Sequence, residues 1–395
     1  MNMGWISQAQ RKKPLLKKLL VYYGYPISIN GAWNVDTAVS IYKDYDLIVF
    51  GEYQNPAHGA YADTLNIIAK LKQAKPGVEI FGYISIGLAP AAADNFTIEE
   101  IKERVMQWKT MGSTGIFLDT FGYDYYVTRE RQNEVVQFCH SQGFNVFVNS
   151  YKPDYVFKKE NMYLDWIDFN GNPKNIEPVV GPQDYYMIEN AFYVYSSSQQ
   201  TMRGSSRSRL LENMECFTVK RDEYGGLTYF EKFRTQFIAL DEIIDRDQEY
   251  FNTGYIGSVV LGYHGYGASI RSWGASISDY HHYPLPDIPY DAGDRLGTPT
   301  ASRNTPSSSS NTKYENTLGN IKLTLVWDPD PTDDKNLSKG TRHVLINGNL
   351  VGYSKGSTDR RPKIAHVGFM YFDTTLGKPV WWNGTGWVDS TNTTV

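Results

Sequence analysis

From residue 19 to about residue 265, short apolar runs alternate with amphipathic stretches, and few folds are open to a chain built that way. Residues 19–25, 46–51, 79–86, 115–119, 144–149, 185–189, 235–240 and 258–263 read as strands. Between them, residues 35–42, 60–74, 97–111, 129–141 and 245–255 read as helices. In 97–111 the apolar residues Ile98, Ile101, Val105 and Trp108 recur at the spacing of one helix face. Strands that are apolar throughout, rather than at every second position, belong to a parallel sheet covered on both faces. Eight such repeats point to an α/β fold in which the sheet closes into a (β/α)8 TIM barrel. No glycine-rich phosphate fingerprint follows the first strand, which argues against an open dinucleotide-binding sheet.

The barrel is expected over residues 19–290, preceded by an N-terminal arm at 1–18. Two stretches, 161–182 and 196–229, exceed ordinary connections and read as insertions over the barrel mouth, where long loops tend to be functional. After His282 the composition turns to Pro, Ser, Thr, Asn and Gly, with serine at every position of 307–310, so 291–313 reads as a flexible linker. Residues 314–395 read as a small β-rich module. Asn347-Gly348 and Asn383-Gly384 are hairpin turns, and Trp381, Trp382 and Trp387 surround the second. A module this small commonly leans on a partner, so it is expected to attach or oligomerise the chain while the barrel swings on the linker.

Composition removes several function classes. Hydrophobic residues at 41% and charged residues at 21% provide for a sizeable core. A net charge of −4, from 39 basic and 43 acidic residues, lacks the basic excess of a nucleic-acid binder. No apolar run reaches the 18 residues of a membrane span. The basic cluster Arg11-Lys12-Lys13 runs on through Lys17-Lys18 toward the first strand without a signal-peptide pattern, so no secretion is expected. Two cysteines, Cys139 and Cys216, make neither a disulfide framework nor a zinc site and read as buried filler. His281-His282 has no third ligand beside it, and no metal or cofactor is expected. The thirty tyrosines suit a surface for carbohydrate or protein, since each ring offers an apolar face with a polar edge.

Chemistry is most legible at strand ends. In a parallel barrel, residues at the carboxyl ends of strands project into the mouth. Asp119 ends Gly-Ile-Phe-Leu-Asp, Glu189 ends Tyr-Tyr-Met-Ile-Glu, and Asn149 ends the strand between them. Neighbouring strands lie about 4.8 Å apart, so the ends of strands four and six are roughly 9–10 Å apart. Convergence on the axis brings two carboxylates into the ~5–9.5 Å range of glycosidase pairs, without separating retaining from inverting chemistry. Asn149, Tyr83, Tyr263 and His264 are candidates for positioning sugar.

Tyr22-Tyr23-Gly24-Tyr25-Pro26, residues 45–51, Ile80-Phe81-Gly82-Tyr83-Ile84 and Gly115–Asp119 together resemble the endo-α-1,4-polygalactosaminidase and spherulin-4-like glycoside hydrolases. The similarity spans about residues 19–270. It implies a TIM barrel acting on galactosamine-containing polysaccharide, with the family's strand-four Asp at Asp119, its strand-six Glu at Glu189 and its strand-five Asn at Asn149. The long insertions between strands five and seven depart from that pattern and bear on substrate identity. Segment 367–389, from Val367-Gly368-Phe369-Met370 through Trp381-Trp382-Asn383-Gly384 to Trp387-Val388-Asp389, resembles a stretch near the ends of fibre and appendage proteins of tailed, notably crAss-like, phages.

The two resemblances imply a phage virion appendage, assembled in the host cytoplasm with other virion proteins and itself a homo-oligomer. Its barrel would bind and hydrolyse amino-sugar polysaccharide, with Glu189 as general acid and Asp119 as nucleophile or base. Two alternatives remain: a non-catalytic structural or receptor-binding virion protein on an inactive barrel, and a soluble bacterial polysaccharidase. A mouth plugged by 161–182 would favour the non-catalytic role.

Overall fold

The computed structural model describes residues 15–88, 95–196, 201–204, 207–243, 248–269, 283–286, 288, 294, 296–297, 299–303, 312–328, 341–351, 355–356, 358, 361 and 367–395. The N-terminal arm through residue 14, the pair His281-His282 and the serine run lie outside the described residues.

Eight parallel strands close a barrel: β1 (Lys17–Tyr22), β2 (Leu47–Phe50), β3 (Glu79–Ser85), β4 (Gly115–Asp119), β5 (Asn145–Asn149), β6 (Tyr185–Glu189), β7 (Gln236–Glu242) and β8 (Gly265–Ser269). Each pairs with its sequence neighbours, and β8 returns to β1. Side chains alternate between two cores. Leu19, Val21, Leu47, Val49, Phe81, Phe117, Phe147, Tyr185, Met187, Ile238 and Leu240 fill the barrel. The intervening residues, such as Leu20, Ile48, Ile116, Val146, Tyr186 and Ala239, meet the surrounding helices. Burial on both faces is why these strands are apolar at every position.

The helices α1 (Val35–Tyr42), α2 (Tyr61–Ala74), α3 (Ile98–Met111), α4 (Arg129–Ser141), α5 (Arg207–Thr218) and α6 (Gln248–Val260) follow strands in turn. Local signals set their ends. Thr97 and Glu100 form a reciprocal capping box at the start of α3, and Gly112 closes it at φ +83°.

The eighth strand corrects the sequence reading. Residues 258–263 are not a strand: Ser258, Val259 and Val260 finish α6, and Gly262 turns the chain at φ +74°. A short apolar run fits a buried helix end as well as a strand. The true strand, Gly265–Ser269, is poor in β-formers because the barrel closes tightly there. A Cβ on Gly267 would lie 2.7 Å from the Leu19 carbonyl oxygen, and one on Gly265 2.8 Å from Ile238.

Beyond the barrel lie two further sheets, the first antiparallel and the second antiparallel except for its first strand, which pairs parallel with the next. The first has five strands: β9 (Thr300–Arg303), β10 (Thr312–Leu318), β11 (Ile321–Asp328), β12 (Thr341–Ile346) and β13 (Asn349–Val351). The second has four: β14 (Lys355–Gly356), β15 (Met370–Asp373), β16 (Lys378–Trp382) and β17 (Trp387–Val388). It has its own small core of Tyr371, Val380 and Trp387. Strand β9 falls inside the stretch read as a linker. The five-stranded sheet packs on the barrel: Tyr314, Leu318, Ile321, Leu323, Leu325 and Val344 share the core of the helices, and the Asn316 amide donates to the Val260 carbonyl at 3.1 Å. The freely swinging barrel expected from linker composition is therefore not what these contacts describe. The reason is α6, which is buried all round from Thr253 to Val260 and has no polar face to leave in water.

Ending the chain at residue 294 should therefore expose α6. Six buried apolar side chains of the sheet, at about 1.5–3 kcal/mol each, approach a typical domain's whole margin of about 5–15 kcal/mol. The truncated barrel is expected to aggregate or melt well below the full chain in calorimetry. A monodisperse truncated barrel with the full chain's melting temperature would contradict the packing described.

Candidate active site

Strand parity places the polar cluster. On β4, Phe117 points inward, so Asp119 does too; on β5 the same holds for Phe147 and Asn149, and on β6 for Met187 and Glu189. Tyr83 follows Phe81 on β3 and Tyr23 follows Val21 just beyond β1, and both pack on the barrel interior. The packed layer thus ends, at the carboxyl rim, in a ring of polar side chains. Asp119, Asn149, Glu189 and Tyr83, all singled out from sequence, lie together on one face.

Their hydrogen bonds connect them. The Asn149 amide nitrogen donates to Asp119 Oδ1 at 2.9 Å and to Glu189 Oε2 at 3.2 Å. Asp119 Oδ2 accepts from the Tyr83 hydroxyl at 2.9 Å, and Oδ1 accepts from the Thr120 backbone N–H at 2.8 Å. Burial raises the Asp119 pKa above its ordinary 3.8, and the three donors, which favour the anion, oppose that rise. The Tyr83 ring stacks on Phe117 and meets Tyr23 edge-on. Burial above all, then Asp119, Tyr83 and Glu189, lifts the Tyr23 pKa well above 10, so its phenol stays protonated.

Each acid is followed by a residue in the left-handed region, Thr120 at φ +51° and Asn190 at φ +53°. For branched threonine this conformation costs about 1–3 kcal/mol, and such strain gathers where the fold over-determines a site. Here Ser85 Oγ and the Gly87 N–H hold the Thr120 hydroxyl at 2.9 and 2.8 Å. Above the cluster opens a cavity of about 420 Å³. Its walls include Asp119, Asp124 and Glu189 and the aromatic rings of Tyr125 and Tyr151, and among the described residues no lysine or arginine lines it. No residue of 161–182 lines it, so that insertion does not plug the mouth. Among the described residues no group of three or more His, Cys, Asp or Glu is placed to hold a metal ion.

Tyr263 and His264 require correction. They precede β8 and so lie at the opposite, amino-terminal rim. Tyr263 is buried, and His264 accepts the Phe237 N–H through Nδ1 at 3.1 Å. Burial, followed by nearby Lys17, lowers the His264 pKa. These residues support the barrel floor and do not reach sugar at the mouth. The error follows directly from misplacing the eighth strand.

Sequence reasoning missed Tyr23, Asp124, Tyr125, Tyr151 and the fully buried Asp241. Asp241 ends Phe-Ile-Ala-Leu-Asp on β7 much as Asp119 ends β4, but its parity is outward. Its Oδ1 accepts the backbone N–H groups of Phe192 and Tyr193 at 2.7 and 3.0 Å, and its Oδ2 accepts the Tyr266 hydroxyl at 2.9 Å. With Ala191 N–H donating to the Leu240 carbonyl, this clamps the turn that leaves Glu189.

No family model and no curated protein matches the chain. Among solved structures it is similar to type I 3-dehydroquinate dehydratase from Clostridium difficile, at 10% identity over 67% of this chain and 87% of that one, TM-score 0.32. It is similar also to the Nostoc punctiforme debranching enzyme, at 10% identity over 74% and 79%, TM-score 0.36. A third is D-psicose 3-epimerase from Clostridium cellulolyticum, at 10% identity over 67% and 88%, TM-score 0.35. These are likenesses of fold, and no chemistry is carried over from them.

Two outcomes follow. Because the folded state raises the Asp119 pKa, that group's contribution is most favourable below 3.8 and is lost as pH rises through the folded value. Asp119→Asn should therefore be at least as stable as the parent in urea at neutral pH, with the gain vanishing in acid; a clear loss at neutral pH would contradict the burial penalty. Asp241→Ala leaves two N–H groups and a hydroxyl without an acceptor, at about 1–3 kcal/mol each. Its unfolding free energy should drop by about 3 kcal/mol or more, and a change below 1 kcal/mol would show that Asp241 does not clamp the turn.

Proposed function

We propose that the barrel is a retaining glycoside hydrolase acting within amino-sugar-containing polysaccharide chains, with Asp119 as nucleophile and Glu189 as general acid and base. The observation that carries this is the single amide of Asn149 bonding both carboxylates. The two protons of such an amide diverge by about 120°, so bonds of 2.9 and 3.2 Å set the facing oxygens about 5.3 Å apart. Retaining pairs lie about 5–5.5 Å apart, whereas inverting pairs need about 6.5–9.5 Å to admit a water. Even laid end to end, the two bonds reach only about 6.1 Å.

The roles follow from the donors. Asp119 has N–H or O–H groups aimed at both oxygens, which fixes it in place as an anion suited to attack the anomeric carbon. As that bond forms, the glycosidic C–O bond breaks and Glu189 gives its proton to the departing oxygen. Glu189 then takes a proton from water, which attacks the glycosyl–Asp119 ester and frees the carboxylate. The substrate class follows from charge. The three carboxylates Asp119, Asp124 and Glu189 in the cavity wall, with no basic side chain beside them among the described residues, favour a sugar with a free amine over a uronic acid. Tyr125 and Tyr151 offer faces for sugar rings.

The setting we propose is a phage appendage, homo-oligomeric and bound to other virion proteins, and its support is the resemblance of segment 367–389. The hydrolase is tested by release of reducing ends from de-N-acetylated polygalactosamine and from chitosan. Asp119→Asn and Glu189→Gln should each lower the rate by about 10²–10⁴-fold with the melting temperature maintained. Full activity in both variants would refute the assignment. Binding without any cleavage by the parent would leave the inactive-barrel alternative.

A further inference from the structure

The insertion after β5 builds a second aromatic surface. Tyr163–Leu164 pairs antiparallel with Phe169–Asn170, and the 3-10 turn Asp165–Ile167 joins them. One side of this small hairpin is clamped down. Leu164 packs with Tyr123 and Tyr155, and the Phe169 ring meets Tyr126 edge-on at 5.3 Å. Gly171, just past the hairpin, lies so close to the Tyr123 ring that a Cβ there would be 2.1 Å from it, and its carbonyl accepts the Arg129 N–H at 2.8 Å. The other side faces water. Trp166 is 69% exposed and Tyr163 51% exposed, with the Tyr163 hydroxyl donating to Asp168.

A hairpin held this firmly has no folding reason to present an indole and a phenol to solvent, since its own apolar contacts are complete on the inner side. The surface is also tied to the cavity through one supporting loop. The loop that supports the hairpin through Tyr123 and Tyr126 supplies Asp124 and Tyr125 to the cavity wall, and exposed Tyr151 of that wall precedes the hairpin on the same insertion. We propose that Trp166 and Tyr163 form an outlying sugar-binding platform, which takes a pyranose ring of the polysaccharide some units away from the bond at Asp119 and Glu189. The apolar face of a sugar ring stacks on the indole, and the hairpin, already ordered, loses little entropy on binding. The platform makes the preferred ligand an extended polymer, because a short fragment cannot fill the cavity and the hairpin together. The proposal rests on the hydrolase reading for its ligand class, but it is a statement about binding and can be tested without turnover.

The test uses full-length Glu189→Gln protein, with and without Trp166→Ala, titrated calorimetrically with polygalactosamine, with chitosan and with the corresponding disaccharides. Trp166→Ala is expected to weaken polymer binding by about tenfold. Disaccharide affinity and melting temperature should stay unchanged, because the indole is exposed. Tyr163→Ala should act in the same direction. Equal polymer affinity with and without Trp166, an equal loss for polymer and disaccharide, or no polymer binding by the Glu189→Gln parent would overturn the platform. The two readings fail separately. Trp166-dependent binding in a wild-type chain that never cleaves removes the hydrolase and keeps the platform. Cleavage of long and short chains alike by Trp166→Ala alone removes the platform and keeps the hydrolase.

Discussion

Every second side chain of a closed parallel barrel points at the axis, and the chemistry at the mouth depends on that constraint. Phe117, Phe147 and Met187 occupy the last packed positions of β4, β5 and β6. Two residues on, Asp119, Asn149 and Glu189 must also point inward, now where packing ends. Three adjacent strands therefore deliver two carboxylates and one amide to a common point without help from any loop. The amide turns proximity into a set distance, since a single NH2 group can satisfy both acids only when they straddle it. A shift of one residue in any of the three strands would send the corresponding group out among the helices, as the outward parity of Asp241 on β7 illustrates.

Holding acids at the edge of a packed interior costs free energy, and the surroundings show how that cost is offset. Asp119 is pushed toward its neutral form by burial and drawn back by Tyr83, Thr120 and Asn149. The left-handed turns at Thr120 and Asn190 add strain, which is contained by Ser85 and Gly87 beside one acid and by Asp241 and Leu240 beside the other. Asp241 is itself fully buried, and its satisfied hydrogen bonds make the Glu189 turn rigid. The two acids are thus pre-positioned by rigid elements, which is what electrostatic stabilisation of a transition state requires.

What could be read from sequence follows the same physics. The barrel was legible because burial on both faces leaves unbroken apolar runs, and the site because a charge at the end of such a run has few structural uses. The eighth strand was not legible: tight closure against β1 selects Gly265 and Gly267, which erase the strand signal, while Val259 and Val260 imitate one inside a helix. Tyr263 and His264 were misplaced with it. Asp241 had the same sequence signature as Asp119, and only its parity, counted from Ile238 and Leu240, separates a buried clamp from a residue at the mouth. The docking of the five-stranded sheet is hidden by the linker composition before it, although α6 carries the clue, because a helix without a polar face must be covered on both sides.

The central claim is that Asp119 and Glu189, linked through Asn149, form a retaining pair. The anomeric configuration of the first-formed product from a defined galactosamine oligomer, followed by proton NMR before mutarotation, addresses it most directly. Product with the configuration of the bond that was cut is expected from such a pair. First-formed product of the opposite configuration would mean that a water sits between the carboxylates, and the distance set by the shared amide would not describe the working enzyme.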